Sequence, residues 1–200
     1  KIESGKIELE QIAFAPDELV SNMLKALSVR ASQKGLELVH AIDPALPDWL
    51  EGDPNRLRQV LTNLVGNAIK FTDSGAIAVE LRLLKQDPQD AVVEFKVVDG
   101  GIGIPLDKQA SIFEAFSQAD TSTTRKYGGT GLGLTISSQL VHAMSGKLTV
   151  QSALGQGSTF AFAIPLGINP STQPAPQDAP DLTGLTALVV DDNPVNRRHC

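Results

Sequence analysis

Cysteine is almost missing from this chain: Cys200 is the only one in 200 residues. That excludes an internal disulfide framework and any cysteine-based metal site, and it fits a reducing compartment. Aromatic residues are scarce as well, at 4%, so the core has to be aliphatic; an apolar share of 42% is enough for one. No apolar run approaches the roughly 18 residues of a membrane-spanning helix, and no stretch has the form of a secretory signal peptide. This piece is therefore expected to make no membrane contact of its own. Positive charge is in deficit too, with 17 Lys and Arg against 23 Asp and Glu, a net charge of −6 and a pI near 5.0. Nucleic acid is excluded as a partner on that balance, because duplex affinity is built on clustered Lys and Arg. The length suits one domain, or one domain and a fragment, and both ends read as cuts.

What the chain does have is glycine in one place. Tyr127-Gly128-Gly129-Thr130-Gly131-Leu132-Gly133-Leu134 cannot hold a strand or helix interior cheaply. Directly after it, Leu132, Ile136, Leu140 and Met144 recur at helical spacing, with Val141 beside them. A glycine loop opening a helix exposes backbone N–H groups at the positive end of a dipole, which suits an anionic oxygen. Taken alone, the stretch reads equally as a surface hinge.

In chain order, Ile7, Leu9 and Ile12 hint at an edge strand running to Phe14, and Ala15-Pro16-Asp17 opens a helix that Gly35 stops. Residues 37–42 read as a strand, and Asp43-Pro44 and Leu46-Pro47 as a broken loop. The next helix starts with Asp53 as N-cap and Pro54 as first residue. Leu57, Val60, Leu61, Leu64, Val65, Ala68 and Ile69 form its apolar stripe, while Asn63, Asn67 and Lys70 share another face. Asparagine is a poor helix former, so this face points to something polar lying over it. Residues 75–84 and 91–98 alternate as a hairpin of two strands around Asp87-Pro88, and the second ends in Asp99-Gly100-Gly101-Ile102-Gly103-Ile104. An aspartate at a strand end, beside backbone free of side chains, can accept from a flat ligand or simply cap the turn. Residues 105–116 read as a short helix and 117–126 as a polar segment. Residues 147–152 and 158–166 read as the last strands, followed by a proline-rich linker at 167–182. Residues 183–200 start a new domain: an apolar run, Ala187 to Val190, ends in Asp191-Asp192-Asn193-Pro194.

Taken together, these stretches resemble the ATP-binding catalytic domain of sensor histidine kinases, in the wider family of gyrase, Hsp90 and MutL. Residues 58–72 resemble its N box, 99–103 and 128–134 its glycine boxes, 112–116 its F box and 155–160 a last small glycine box. The resemblance covers residues 14–166 and implies an α+β two-layer sandwich, with helices on one face of a mixed, mostly antiparallel sheet. It implies ATP and Mg²⁺ as ligands. Asn67 would then ligate the metal, with Asn63 beside it, and Lys70 would face the phosphates. Asp99 would accept from the adenine amino group, with Gly101, Gly103 and Ile104 along the base. Phe116, Tyr127, Gly129, Thr130, Gly131, Leu132, Gly133 and Leu134 would line the lid and phosphate end, with Arg125 reaching the γ-phosphate. Thr159 would support the adenine end. Gly100 stands where the family more often has a small polar residue.

The ATP-hydrolysing members carry a glutamate at the position of Asn63 to activate water. Asparagine cannot take a proton, so the resemblance implies phosphoryl transfer to a histidine, in the manner of a kinase. His40, His142 and His199 lack the acceptor's context. Residues 1–13 resemble the end of a dimerisation-domain helix and a connecting strand, so the acceptor is expected before Lys1. Asp191 and Asp192 resemble the metal-binding acidic pair of a receiver domain, competent only when that domain is intact. The implied whole is a homodimeric hybrid kinase, cytoplasmic in this part and anchored in a bacterial inner membrane. Its partners would be its own receiver and downstream phosphotransfer or response-regulator proteins. A gyrase- or MutL-like ATPase and a degenerate regulatory domain are the rival readings.

Overall fold

The structure, a computed structural model, describes residues 8–114 and 132–168. Phe116, Arg125, Tyr127, Gly129, Thr130, Gly131, residues 169–182 of the expected linker and the Asp191–Asp192 pair lie outside the described residues. Helix α1 spans Pro16–Ser32 without a side-chain N-cap, helped by Asp17 and Glu18 in its first turn and Arg30 in its last. The chain leaves it through Gly35 at φ +67°, a left-handed conformation that glycine adopts without steric cost. Helix α2 spans Pro54–Phe71, and the carboxylate of Asp53 accepts from the Arg56 N–H at 2.9 Å. Its apolar stripe, Leu57 to Ile69, is buried throughout. Helix α3 spans Gly133–Ala143.

The strands are β1 (Ile12–Phe14), β2 (Leu36–Ile42), β3 (Leu50–Gly52), β4 (Gly75–Gln86), β5 (Asp90–Asp99), β6 (Thr149–Ala153) and β7 (Gly157–Gly167). They form one sheet in the order β1-β3-β7-β5-β4-β2, with β6 also paired to β7. All pairings are antiparallel except β2 with β4. The sheet is thus mixed and mostly antiparallel, as expected. On β5 the alternation sends Ala91, Val93, Phe95, Val97 and Asp99 inward, where Phe95 stacks on Phe162 of β7 at 5.0 Å between centroids. These side chains and the apolar faces of α1, α2 and α3 make one continuous core between the two layers.

One local expectation fails. Residues 105–114, the described part of the expected 105–116 helix, form two 3₁₀ turns instead, Leu106–Lys108 and Ser111–Phe113. Among these described residues only Ile112 is buried and Leu106 is 85% exposed, too little packing to offset helix nucleation. The proline-broken loop after β2 is present as expected, and directly after it comes β3, a strand the sequence did not show, which Leu50 anchors in the core at 1% exposure.

Because Leu61 is fully buried on α2, Leu61→Ala should destabilise the domain by about 2–5 kcal/mol. Val29→Ala, at 65% exposure on α1, should stay within about 0.5 kcal/mol. Urea unfolding of both variants checks this; equal effects would contradict the burial assigned to α2.

Candidate functional site

The polar face of α2 presents three half-buried side chains, Asn63, Asn67 and Lys70. Asn63 donates through Nδ2 to Ser137 Oγ on α3 at 2.9 Å. Gly133 lies so close to Asn63 that a Cβ there would run into the carboxamide oxygen. Asn63 therefore fixes the start of α3 against α2. No hydrogen bond engages the Asn67 side chain among the described residues, so its carboxamide oxygen remains available to a hard cation. The Lys70 ammonium lies 4.7 Å from the centroid of the Phe71 ring, and partial burial lowers its pKa.

The other end of the site is the turn after β5. Asp99 is 8% exposed on the inner face of the sheet. Its Oδ1 accepts the Gly101 N–H at 2.9 Å, and the Ser158 N–H also bonds the carboxylate. Burial pushes the Asp99 carboxyl above the ordinary aspartate range, and these two N–H groups oppose the shift. A Cβ on Gly101 would lie 2.6 Å from the Phe71 carbonyl oxygen and 2.8 Å from Asp99 Oδ1. Only glycine lets the turn come this close to α2. The Ile102 N–H then donates to the Phe71 carbonyl at 3.2 Å, joining the exit of α2 to the turn. Gly103, at φ +71°, packs on the Ala153 carbonyl where a Cβ would clash. The Ile104 N–H donates to Ser152 Oγ at 2.8 Å, and Gln109 Nε2 bridges the carbonyls of Ile104 and Ser152.

The structure places Asn63, Asn67 and Lys70 on α2, Gly133 against Asn63 and Gly101 against the end of α2 beside Asp99, while Gly103 and Ile104 pack on β6. Leu132 is the N-cap residue of α3 without a side-chain bond, its carbonyl accepting from the Ile136 N–H at 2.9 Å, and Leu134 packs on the core. Thr159 does not meet Asp99. It pairs with Val98, whereas Ser158 pairs with Asp99 and is 7% exposed. Strand alternation explains the difference: Phe160, Phe162 and Ile164 face inward, so Ser158 does too and Thr159 faces out. Sequence reasoning missed Ser158, although that same alternation was the signal. Ser158 Oγ lies 3.0 Å from Ser152 Oγ, so its hydroxyl belongs to a small polar cluster beside the carboxylate.

No group of three or more His, Cys, Asp or Glu among the described residues could hold a metal ion. The donor chemistry fits Mg²⁺ in one way: a neutral carboxamide oxygen from Asn67, with a ligand's phosphate oxygens and water completing the shell.

Residues 52–168 match the model of the histidine kinase-, DNA gyrase B- and HSP90-like ATPase family. The chain belongs to this ATPase family. Among curated relatives, the signal transduction histidine-protein kinase BarA of Escherichia coli is 43% identical over 171 residues, 86% of this chain and 19% of that protein. The hybrid signal transduction histidine kinase B of Dictyostelium discoideum is 41% identical over 172 residues, 86% of this chain and 9% of that protein. The chain thus spans no more than a fifth of the length of these relatives. Full-length ShkA, solved in complex with AMPPNP, superposes with a TM-score of 0.72 at 38% identity, covering 82% of this chain and 33% of that one. The nucleotide-free catalytic domain of the histidine kinase ThkA gives 0.61 at 26% identity, covering 80% of this chain and 98% of that one. Among the described residues, no helix of this ATPase-family chain is long and apolar enough to cross a membrane.

The raised pKa of Asp99 has a definite sign in stability. Its contribution favours the fold below the ordinary carboxylate pKa, about 3.9, and is lost as pH rises through the raised value. Asp99→Asn removes that loss. The stability of the variant minus that of the parent should therefore be larger at pH 7 than at pH 4 in urea titrations. A difference independent of pH would contradict the assigned burial.

Proposed function

We propose that the chain is the catalytic part of a hybrid sensor histidine kinase, binding Mg·ATP and donating its γ-phosphate to a histidine outside the chain. The observation that carries this reading is the pairing of Asp99 with Asn67 and Lys70 at two ends of one site, joined through Phe71 and Ile102. Asp99, already accepting two backbone N–H groups, accepts a further hydrogen bond from the adenine amino group. Gly101 and Gly103 let the base approach the backbone, and Ile104 and Ser158 complete that end. Asn67 would hold Mg²⁺, and Lys70 places a positive charge toward the phosphates. The bound ion would offset charge on the phosphate oxygens as the phosphoryl group transfers. Residues 117–131 supply the lid, with Arg125 reaching the γ-phosphate. At Asn63 a carboxamide occupied by Ser137 replaces a general base, which favours transfer to a positioned imidazole over hydrolysis.

In this reading residues 14–166 are the catalytic domain and 1–13 join it to a dimerisation domain that carries the acceptor in a homodimer. Gly167, expected to begin the linker, instead ends β7; residues 169–182 are the linker, and 183–200 open a receiver domain with Asp191 and Asp192 as its acidic pair. Phosphotransfer or response-regulator proteins act downstream. The site works on the cytoplasmic side of a bacterial inner membrane.

Calorimetric titration of the full chain with ATP tests this. Binding should require Mg²⁺ for full strength, and Asp99→Ala should weaken it at least about tenfold, the loss of a hydrogen bond to a charged group. The chain alone should incorporate no phosphate. Absence of Mg-dependent binding in the parent would overturn the proposal, and steady phosphate release abolished by Asn63→Ala would make it a hydrolase.

A further inference from the structure

The last four carbonyls of a helix have no partner within it, and at the exit of α2 each one finds a donor. The Ala68 carbonyl accepts from the Thr72 N–H at 3.0 Å and that of Phe71 from Ile102 at 3.2 Å. The remaining two, with the carbonyl of Thr72, are taken by a single side chain. Lys34 Nζ lies 2.8 Å from the Ile69 carbonyl oxygen, 2.9 Å from that of Lys70 and 3.0 Å from that of Thr72. An ammonium has three protons to donate, and all three are used here.

Lys34 is not part of α2. It sits between α1 and β2, where its own N–H bonds the Ala31 carbonyl at 2.9 Å and Gly35 bonds that of Ser32 at 3.0 Å. A cation at a helix C-terminus is favourable wherever it comes from. Supplied by another element, it also fixes where the helix ends relative to that element. The turn it grips contains Lys70 itself, and Asn67 lies one turn earlier. The adenine end has its own anchor, the Phe71–Ile102 bond.

We propose that Lys34 is a positioning residue for the phosphate end of the nucleotide site, holding the turn that presents Asn67 and Lys70. The inference rests on the nucleotide-site reading above. Its test uses the full chain, at a temperature where circular dichroism shows each variant folded, with Mg·AMPPNP and adenosine as separate ligands. Lys34→Met should raise the Kd for Mg·AMPPNP about tenfold, the scale of a partial loss of positioning. Adenosine affinity should move less than about twofold, as for an independent site. Lys34→Arg, which restores charge and donors, should recover most of the loss. Lys34→Gln replaces the methionine variant if that one does not fold. Equal weakening of both ligands, or no weakening of either, would overturn the positioning role. Failure of the parent to bind Mg·AMPPNP would instead remove the nucleotide site itself, a separate and recognisable result.

Discussion

Everything in the site depends on one close approach of backbones. The carbonyl of Phe71, at the end of α2, meets the turn after β5 where Gly101 has no side chain and Ile102 offers its N–H. A methyl group at position 101 would sit 2.6 Å from that oxygen, well inside van der Waals contact, so the helix and the strand end would have to separate. That separation would carry Lys70 away from Asp99. The glycines of this turn are therefore there for geometry: they let a helix end and a strand end share a hydrogen bond.

Around that contact the domain accepts local costs. A carboxylate on the apolar face of a sheet is expensive to ionise, and Asp99 stays there with two backbone donors and the hydroxyl cluster of Ser158 and Ser152 nearby. Its neighbours on the same face of β5 are Val97 and Phe95, which offer no compensation. Backbone donors thus offset only part of the cost of burying this carboxyl, whose pKa stays raised. Asn63 shows the opposite economy. Its carboxamide is half-buried, yet the bond to Ser137 and the absence of a Cβ on Gly133 turn it into a packing element between two helices.

Much of this was legible because its causes are local. Asp53 and Pro54 announce α2, and the bond from Arg56 to the Asp53 carboxylate is the interaction the sequence suggests. Alternation on either side of Asp87-Pro88 gives the β4–β5 hairpin. What escaped is held by distant partners. Leu50–Gly52 is too short to show a period and becomes a strand only because Ile12–Phe14 and Gly167 pair with it. The parallel pairing of β2 with β4 leaves no mark in either segment. Ile136 continues an apolar stripe in sequence but is 41% exposed, since α3 rests on α2 through other residues. Thr159 was named by resemblance, and Ser158, which the alternation of the same strand turns inward beside Asp99, was missed. Lys34 looks like any surface lysine until the carbonyls 35 to 38 residues away are seen around it.

The strand order also has a consequence for how the chain reaches its fold. β7 is the last strand in sequence among the described residues and lies in the interior of the sheet, between β3 and β5. Until residue 167 is available, β5 has one open edge and β1–β3 has nothing to join. A ribosome-bound chain would hold the β2–β4–β5 half and its helices as a partial sheet with exposed ladder groups, a species prone to pair with the wrong partner. Its closing step depends on contacts of long sequence separation, which slows folding relative to a helical domain of equal size. Completion of the site and completion of the sheet are the same event, because Ser158, whose N–H meets the Asp99 carboxylate, arrives on that final strand.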